Sequence, residues 1–151
     1  MAAKAQQSCS IARTLEVVGE RWTFLILRES LAGTTRFAEF SRTLGIASDV
    51  LTDRLHTLTE AGVLDKRPYQ EPGSRVRFSY HLTTSGEELR VILGALQQWG
   101  DQHLPLPSGP TAVRRARDDD RALHVAFVDD SGKAVPTELV TFTWTAAYPK
   151  D

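Results

Sequence analysis

Residues 46–62 read IASDVLTDRLHTLTEAG, and this pattern predicts a helix over Ser48–Ala61. Leu51, Leu55 and Leu58 recur at the spacing of one helical face. The other face is short and polar and carries Ser48, Asp49, Thr52, Asp53 and His56. A helix anchored by one leucine stripe that presents small hydrogen-bonding groups has the shape that a DNA major groove accepts.

The neighbouring residues place this helix in a larger unit over residues 35–83. A preceding helix is predicted over Arg36–Leu44, with Thr35 as its cap, and a tight turn then leads to a cap at Ser48. After the glycine at 62, two extended runs flank a turn at 70–74 and form a hairpin over Leu64–Leu82. Its tip carries arginines at 75 and 77, so the whole resembles a helix-turn-helix followed by a wing.

Three further helices are predicted outside this unit, over residues 10–19, 21–31 and 85–103. The second is apolar nearly all round, which indicates a core helix. The last has a wider apolar stripe than one small domain absorbs, so we expect a second copy of the chain to cover it. The predicted dimer residues are Ile11, Leu15, Leu89, Leu93, Leu96, Trp99 and Leu104.

The C-terminal third is predicted to be separate. Residues 105–110 are rich in proline and form a linker, so the domain covers residues 8–104 and an extension of unknown role covers 111–151. Within the extension, strands are predicted at 123–128 and 139–145, with a turn at 129–132. The expected fold class is α+β: a winged helix-turn-helix domain with N- and C-terminal dimerisation helices and a C-terminal β-hairpin extension.

Composition is ordinary for a folded protein of 151 residues, with 41% hydrophobic and 25% charged residues. No apolar run is long enough for a membrane span or a signal peptide, so we expect a cytoplasmic protein. The net charge of −1 counts against nucleic-acid binding. However, residues 21–83 hold nine basic and seven acidic residues, a local charge of +2, and residues 101–151 hold six and eight, a charge of −2.

The sequence carries no recognisable catalytic or cofactor motif, so no enzyme, cofactor or metal is predicted. A thiolate zinc site and an intrachain disulfide are excluded because Cys9 is the one cysteine. The aspartates at 118–120 form a solvated turn beside arginines rather than a metal site. Glu87 and Glu88 lie in the first turn of the last predicted helix, where carboxylates interact favourably with the helix dipole, so we do not interpret them as a catalytic pair.

Seven short motifs, taken in order, resemble the HxlR family of bacterial transcriptional regulators, which shares its architecture with the MarR group. They cover residues 8–104 and include Val18–Leu27, Thr35–Phe40, Gly45–Leu55, Glu60–Val63, Tyr69–Glu71 and Tyr80–Gly86. The resemblance implies a dimeric winged-helix protein that binds double-stranded DNA. It also implies that the helix at Ser48–Ala61 reads DNA and that the terminal helices make the dimer.

Two residue roles follow from the resemblance. Arg36 matches an arginine with which family members touch the DNA backbone, and Cys9 matches a cysteine through which some relatives sense electrophiles or oxidants. This chain departs from many relatives in having Asp49 where they carry Lys or Asn, which lowers the positive charge facing the groove.

The predicted DNA-binding residues are Arg36, Ser48, Asp49, Thr52, Asp53, Arg54, His56, Arg75 and Arg77. For some of them a structural role is equally open. Asp49 is placed to favour its own helix N-terminus, and Arg54 to pair with Asp53 or Glu60. Cys9 is either a redox sensor or a small residue packed under the dimer helices.

Trp22, Phe24 and Trp99 are candidates to line a ligand pocket. Two kinds of effector are therefore open: an oxidant or electrophile that acts at Cys9, or a small apolar molecule that binds in this pocket. The sequence therefore favours a homodimeric DNA-binding regulator, most simply a repressor. The rival reading is a winged-helix protein–protein interaction module without DNA binding, which the acidic net charge and Asp49 favour.

Overall fold

The computed structural model of the chain describes residues 8–148. In chain order the elements are α1 Ser10–Val18, α2 Arg21–Leu31, α3 Phe37–Leu44, α4 Ser48–Glu60, β1 Leu64–Tyr69, β2 Arg77–Leu82, α5 Thr84–Glu88, α6 Arg90–His103, β3 Phe127–Val128, β4 Ala134–Val135 and a 3-10 turn Thr137–Leu139. The predicted α+β winged-helix architecture is confirmed. Contacts divide the described chain into two units, residues 8–90 with 146–148 and residues 91–145.

The apolar core lies wholly in the first unit. Among residues 8–148, all the buried apolar side chains fall between α1 and the start of β1: Val18, Ile26, Leu27, Phe40, Ile46, Leu51, Leu55, Leu58, Val63 and Leu64. The three leucines of α4 are fully buried, which confirms the predicted stripe. Because they pack against α2 and α3, burial rather than helix propensity holds α4 in place.

The N-terminal caps of three helices each lie one residue away from the position that the sequence predicts. Cys9, Arg36 and Ala47 are the N-caps of α1, α3 and α4, in place of Ser10, Thr35 and Ser48. At α3 the reason is visible, because the Glu39 carboxylate accepts the Arg36 backbone N–H at 3.1 Å. The carboxyl end of α4 is as predicted, since glycine 62 has a φ of +70°.

The hairpin pairs β1 with β2 in antiparallel register, from Leu64 opposite Leu82 to Tyr69 opposite Arg77. An isolated bridge between Arg36 and Ser79 adds the segment before α3 to the edge of β2. Ser79 is therefore buried and Phe78 is 43% exposed. The apolar and polar residues that alternate along β2 therefore do not mark its buried and exposed sides.

The predicted helix over 85–103 is divided into α5 and α6 at Leu89. Leu89 donates its N–H to the Gly86 carbonyl three residues back, at 3.3 Å, rather than to the carbonyl four residues back. Thr83 caps α5, because its side chain accepts the Gly86 N–H at 3.2 Å. The prediction of a single long helix was therefore wrong, because the hydrogen-bond pattern changes at Leu89.

In the second unit, α6 binds the extension through side-chain amides. Gln97 donates to the Ala112 carbonyl at 2.6 Å, and Gln98 donates to the Val125 carbonyl at 3.0 Å. No side chain of residues 91–145 is as buried as those of the first core. The division of the chain at residues 105–110 stays a prediction.

The predicted strands of the extension were largely wrong. Pairing is limited to β3 with β4 and a single bridge between Arg115 and Ala122, and residues 139–145 form no strand. The Asp129 N–H bonds to the Lys133 carbonyl at 3.0 Å, so the turn closes at once and pairs residues 127–128 with 134–135. Pro136 then ends the second strand, because proline has no N–H to continue the ladder. In the part of the chain that the structure describes, no helix is long and apolar enough to cross a membrane.

Candidate nucleic-acid interface

The exposed face of α4 carries all the polar residues that the sequence singled out. Ser48, Asp49, Thr52, Asp53 and His56 are exposed, while the leucine stripe on the opposite side is buried. Thr52 donates its hydroxyl to the Ser48 carbonyl at 2.7 Å, which orients the side chain and leaves its oxygen free to accept. The structure thus brings five short hydrogen-bonding groups onto one solvent-facing surface.

No charged residue of α4 forms an ion pair within the part of the chain that the structure describes. Arg54 is half-buried and forms no ion pair with Asp53 or Glu60. The alternative of a surface ion pair on this helix is therefore not realised. Asp49 lies in the first turn, where a carboxylate also favours the helix dipole.

The wing presents two cations at its tip. Arg75 and Arg77 are exposed, and neither forms an ion pair within residues 8–148. The loop before them is ordered by Gln70, whose amide donates to the Ser74 carbonyl at 2.8 Å. A positive φ of +74° at Gly73 completes the turn.

Arg36 lies at the junction of α3 and the wing and, unlike the arginines at the tip, has partners. Its guanidinium lies over the Tyr69 ring, 4.7 Å from the ring centroid. Its Nη1 donates to Glu71 Oε1 at 2.8 Å. Tyr69 and Glu71 were not among the predicted site residues, although both lie in one of the family-like motifs.

The other face of the hairpin holds a second cation–aromatic contact that sequence reasoning missed. Lys66 Nζ lies 4.2 Å from the centroid of the Phe78 ring. The register would have revealed it, because Lys66 is opposite Tyr80 and therefore diagonal to Phe78 on one face. Burial raises the pKa of Tyr80 above its ordinary value, so its phenol is neutral at physiological pH.

The predicted sensor residue lies at the start of α1, and the predicted pocket residues lie on α2 and α6. Cys9 is the half-buried N-cap residue of α1 and is a free thiol. Trp22 is half-buried beneath the Arg21 guanidinium, whereas Trp99 is 57% exposed and its ring stacks on His103. A cleft of about 350 Å³ in the first unit is lined by other residues of α1, α5 and the loop after α4. The aromatic pocket stays a prediction.

Within residues 8–148, no three His, Cys, Asp or Glu side chains form a group that could hold a metal ion. The aspartates at 118–120 are instead engaged by arginines. Arg121 pairs with Asp118 and Asp119, and Arg115 pairs with Asp120 at 3.2 Å.

A leucine-anchored helix with a polar outer face, followed by a two-stranded wing, is the arrangement of a winged helix-turn-helix domain. A family model described as HxlR-like helix-turn-helix matches residues 17–107. The chain belongs to this family. The HxlR resemblance predicted from the sequence is therefore confirmed.

An HTH-type transcriptional regulator of Mycobacterium tuberculosis strain H37Rv is 46% identical to this chain over 101 residues. The match covers 67% of this chain and 63% of the relative, so the chain spans less than two thirds of this relative's length. Further relatives in Mycobacterium bovis and Bacillus subtilis also carry the name HTH-type transcriptional regulator.

Two solved structures show which part of the fold is shared. A candidate transcription factor, PA1607, is 32% identical with a TM-score of 0.79, covering 93% of this chain and 98% of its own. The reduced form of the redox regulator HypR is 27% identical with a TM-score of 0.57, covering 64% of this chain and 94% of its own. The likeness to PA1607 therefore extends into the C-terminal extension, whereas HypR matches a shorter part.

Proposed function

We propose that the chain is a homodimeric, sequence-specific DNA-binding transcriptional regulator that acts as a repressor. Residues 48–61 enter the major groove, and the wing at 64–82 contacts the backbone or the minor groove. One observation carries this proposal: α4 is held by three fully buried leucines and turns five short polar side chains to solvent. A rigid helix with such a face suits readout of base edges.

Phosphate contact is assigned to the arginines around α4. Arg75 and Arg77 are exposed cations without an acidic partner in the described residues, and Arg36 lies at the base of the same wing. Because the phosphate backbone supplies sequence-independent affinity, these contacts position the protein and α4 selects the sequence. In a symmetric dimer the two α4 helices read half-sites about 34 Å apart.

Dimerisation is assigned to the apolar side chains left exposed on the terminal helices. Ile11 and Leu15 on α1 are 65% and 53% exposed, and Leu96 and Trp99 on α6 are 51% and 57% exposed. Leu104 is exposed as well, and the half-buried Leu89 and Leu93 complete the proposed set. Exposed apolar side chains of this size favour burial against a second copy.

Release from DNA is assigned to oxidation or alkylation at Cys9, or to a ligand held near Trp22, Phe24 and Trp99. The free thiol belongs to the half-buried N-cap residue of α1. The similarity to a redox regulator whose structure is solved in both reduced and oxidised forms supports the first route. Because α1 belongs to the proposed dimer surface, a change at Cys9 would alter the spacing of the two reading helices.

The test is binding of the purified protein to DNA upstream of its own gene, in a salt series with and without the thiol oxidant diamide. We expect affinity to fall steeply with salt. Diamide should release the wild type and leave Cys9→Ser bound. Release of both proteins would contradict a role for Cys9, and retention of both would point to a small-molecule effector. Repression itself is checked by in vitro transcription, which should decrease as the protein is added.

Variants separate the two kinds of DNA contact. Arg77→Ala should weaken binding to all sequences and reduce the salt slope by about one unit. His56→Ala should cost about 1 to 3 kcal/mol on the selected operator and change binding to mixed-sequence DNA little. Arg28→Ala, which removes the same charge from a surface ion pair on α2, is the matched control for Arg77.

A protein–protein interaction module without DNA binding is the second candidate. Asp49 and Asp53 favour it, because both are exposed on α4 without a cationic partner among the described residues, and the net charge is −1. Under this reading Arg36→Ala and Arg77→Ala leave function intact, and the wild type binds no DNA at any salt concentration. The same salt series therefore distinguishes the two functions.

A further inference from the structure

The contact between Arg36 and Glu71 joins two elements that the sequence separates by 35 residues. Arg36 precedes α3, and Glu71 lies in the loop between β1 and β2. Their side chains are 47% and 48% exposed, so the pair lies at the surface of the domain. Tyr69 supports the guanidinium from below through its ring.

The contact between Arg36 and Glu71 is chemically similar to a contact between an arginine and a phosphate. A carboxylate and a phosphate both accept the N–H groups of a guanidinium through negatively charged oxygens. The described structure gives no such partner to the other arginines assigned to DNA, at positions 54, 75 and 77. Arg36 alone among them is therefore neutralised in the free protein.

We propose that Glu71 is an internal competitor of DNA: its carboxylate occupies Arg36 in the free protein and gives way to a backbone phosphate when DNA binds. This inference rests on the proposed DNA-binding function. The exchange is feasible because half-exposed ion pairs are weak and solvent-accessible. Tyr69 keeps the guanidinium in place during the exchange, because its ring holds the face of the guanidinium and not its donor edge.

The consequence is weaker, less salt-dependent binding to any DNA. Forming an Arg36–phosphate contact releases counterions from DNA, but it also breaks an internal ion pair that salt weakens. Part of the salt dependence of this contact therefore cancels. The same carboxylate, once displaced, remains near the phosphates and repels them. Glu71 thus limits non-specific affinity and leaves the base contacts of α4 to decide where the protein binds.

The experiment uses the full chain and a mixed-sequence duplex about 40 base pairs long, which accommodates half-sites one helical turn apart. Fluorescence anisotropy gives the affinity from about 50 to about 200 mM NaCl. Glu71→Gln keeps the size and a hydrogen-bonding oxygen but removes the charge. We expect tighter binding and a salt slope steeper by up to about 0.9 per protomer. Its affinity gain is then larger at the lower salt concentration by up to about 3.5-fold per protomer, or about 12-fold for a dimer.

Two controls separate the exchange from a general effect of charge. Asp65→Asn removes a carboxylate from the same hairpin that pairs instead with Arg67 at 3.3 Å, and it should change affinity and slope less. In an Arg36→Ala background, Glu71→Gln should have no more effect than Asp65→Asn. Thermal melts check that all variants fold alike.

The outcomes are distinct. An unchanged slope with equal or weaker binding by Glu71→Gln would show that Glu71 positions Arg36 rather than competing for it, and would overturn the inference. An equal effect of Glu71→Gln in the Arg36→Ala background would overturn it as well. If the wild type binds no duplex at any salt concentration, the DNA-binding function itself fails, which is a different result from either.

Discussion

The side-chain amide of Gln98 pairs with both backbone groups of Val125. It donates to the Val125 carbonyl at 3.0 Å and accepts the Val125 N–H at 2.9 Å. Such a two-point contact fixes a segment of irregular chain against α6 in the way that a strand partner would. Beside it, the Val125 side chain packs against Gly94 of α6, where an added Cβ would lie 3.1 Å from Val125 Cγ2.

Gln98→Ala should therefore loosen the extension from α6. Two hydrogen bonds are lost, and we expect the free energy of local opening to fall by about 1 to 3 kcal/mol. Hydrogen exchange at the Val125 amide measures this directly. Gln102→Ala, an exposed glutamine on the same helix, is the control and should leave that exchange unchanged. Continued protection of the Val125 amide in Gln98→Ala would contradict the assignment.

Leu55→Ala tests whether α4 is held by its buried stripe. Leu55 is fully buried, so the substitution should lower the free energy of unfolding by about 2 to 5 kcal/mol. The neighbouring His56→Ala, on the exposed face, should change it by no more than about 0.5 kcal/mol. Urea denaturation compares the two. Similar values would mean that the helix does not depend on this packing.

Gly86 lies too close to neighbouring atoms to accept a side chain. An added Cβ would lie 2.3 Å from the Val63 carbonyl oxygen and 2.8 Å from Leu82 Cδ2. Gly86→Ala should therefore destabilise the protein by about 1 to 3 kcal/mol. Gly100→Ala in α6 meets no atom within 4 Å and should instead stabilise it by up to about 1 kcal/mol. Thermal unfolding of the two variants should show changes in stability of opposite sign. A Gly86→Ala protein as stable as the wild type would contradict the close contact.

The Asp129 turn should loosen in acid. Hydrogen bonds from the Ser131 hydroxyl and from the backbone N–H groups of Lys133 and Ser131 lower the pKa of Asp129 below its ordinary value of 3.8. The folded turn thus favours the carboxylate, so the stabilisation is complete above the ordinary pKa and is lost as pH falls through the lowered one. NMR titration of the Ser131 and Lys133 amides should show a midpoint below 3.8. Asp129→Asn should abolish that step, and a midpoint at or above the ordinary value would contradict the hydrogen bonds.

Leu96→Glu tests the proposed dimer. A charge placed on the exposed stripe of α6 would be buried against the second copy, so sedimentation should show a shift from dimer to monomer. Gln102→Glu adds the same charge to an exposed position of α6 outside the stripe and should leave the dimer intact. A dimer that survives Leu96→Glu would place the interface elsewhere, and equal dissociation by both variants would indicate a general effect of charge.

Much of the first unit follows from local patterns. The spacing of the leucines and the glycine at 62 predicted α4 to within one residue of its observed end, because periodicity and the left-handed C-terminal position are properties of neighbouring residues. The bounds of α2 agree with the predicted 21–31 for the same reason. The extension was predicted less well, because β-propensity alone placed a strand at 139–145 without knowing where the Asp129 turn would close.

The sequence by itself therefore determined the type of domain, the exposed polar face of α4 and the cationic wing tip. Only the tertiary structure decided which cation is neutralised, because Arg36 and Glu71 meet through the bridge between the segment before α3 and the edge of β2. It likewise decided that Ser79 is buried and Phe78 exposed. Local patterns depend on residues a few positions apart, whereas pairings across 35 residues exist only once the chain has folded.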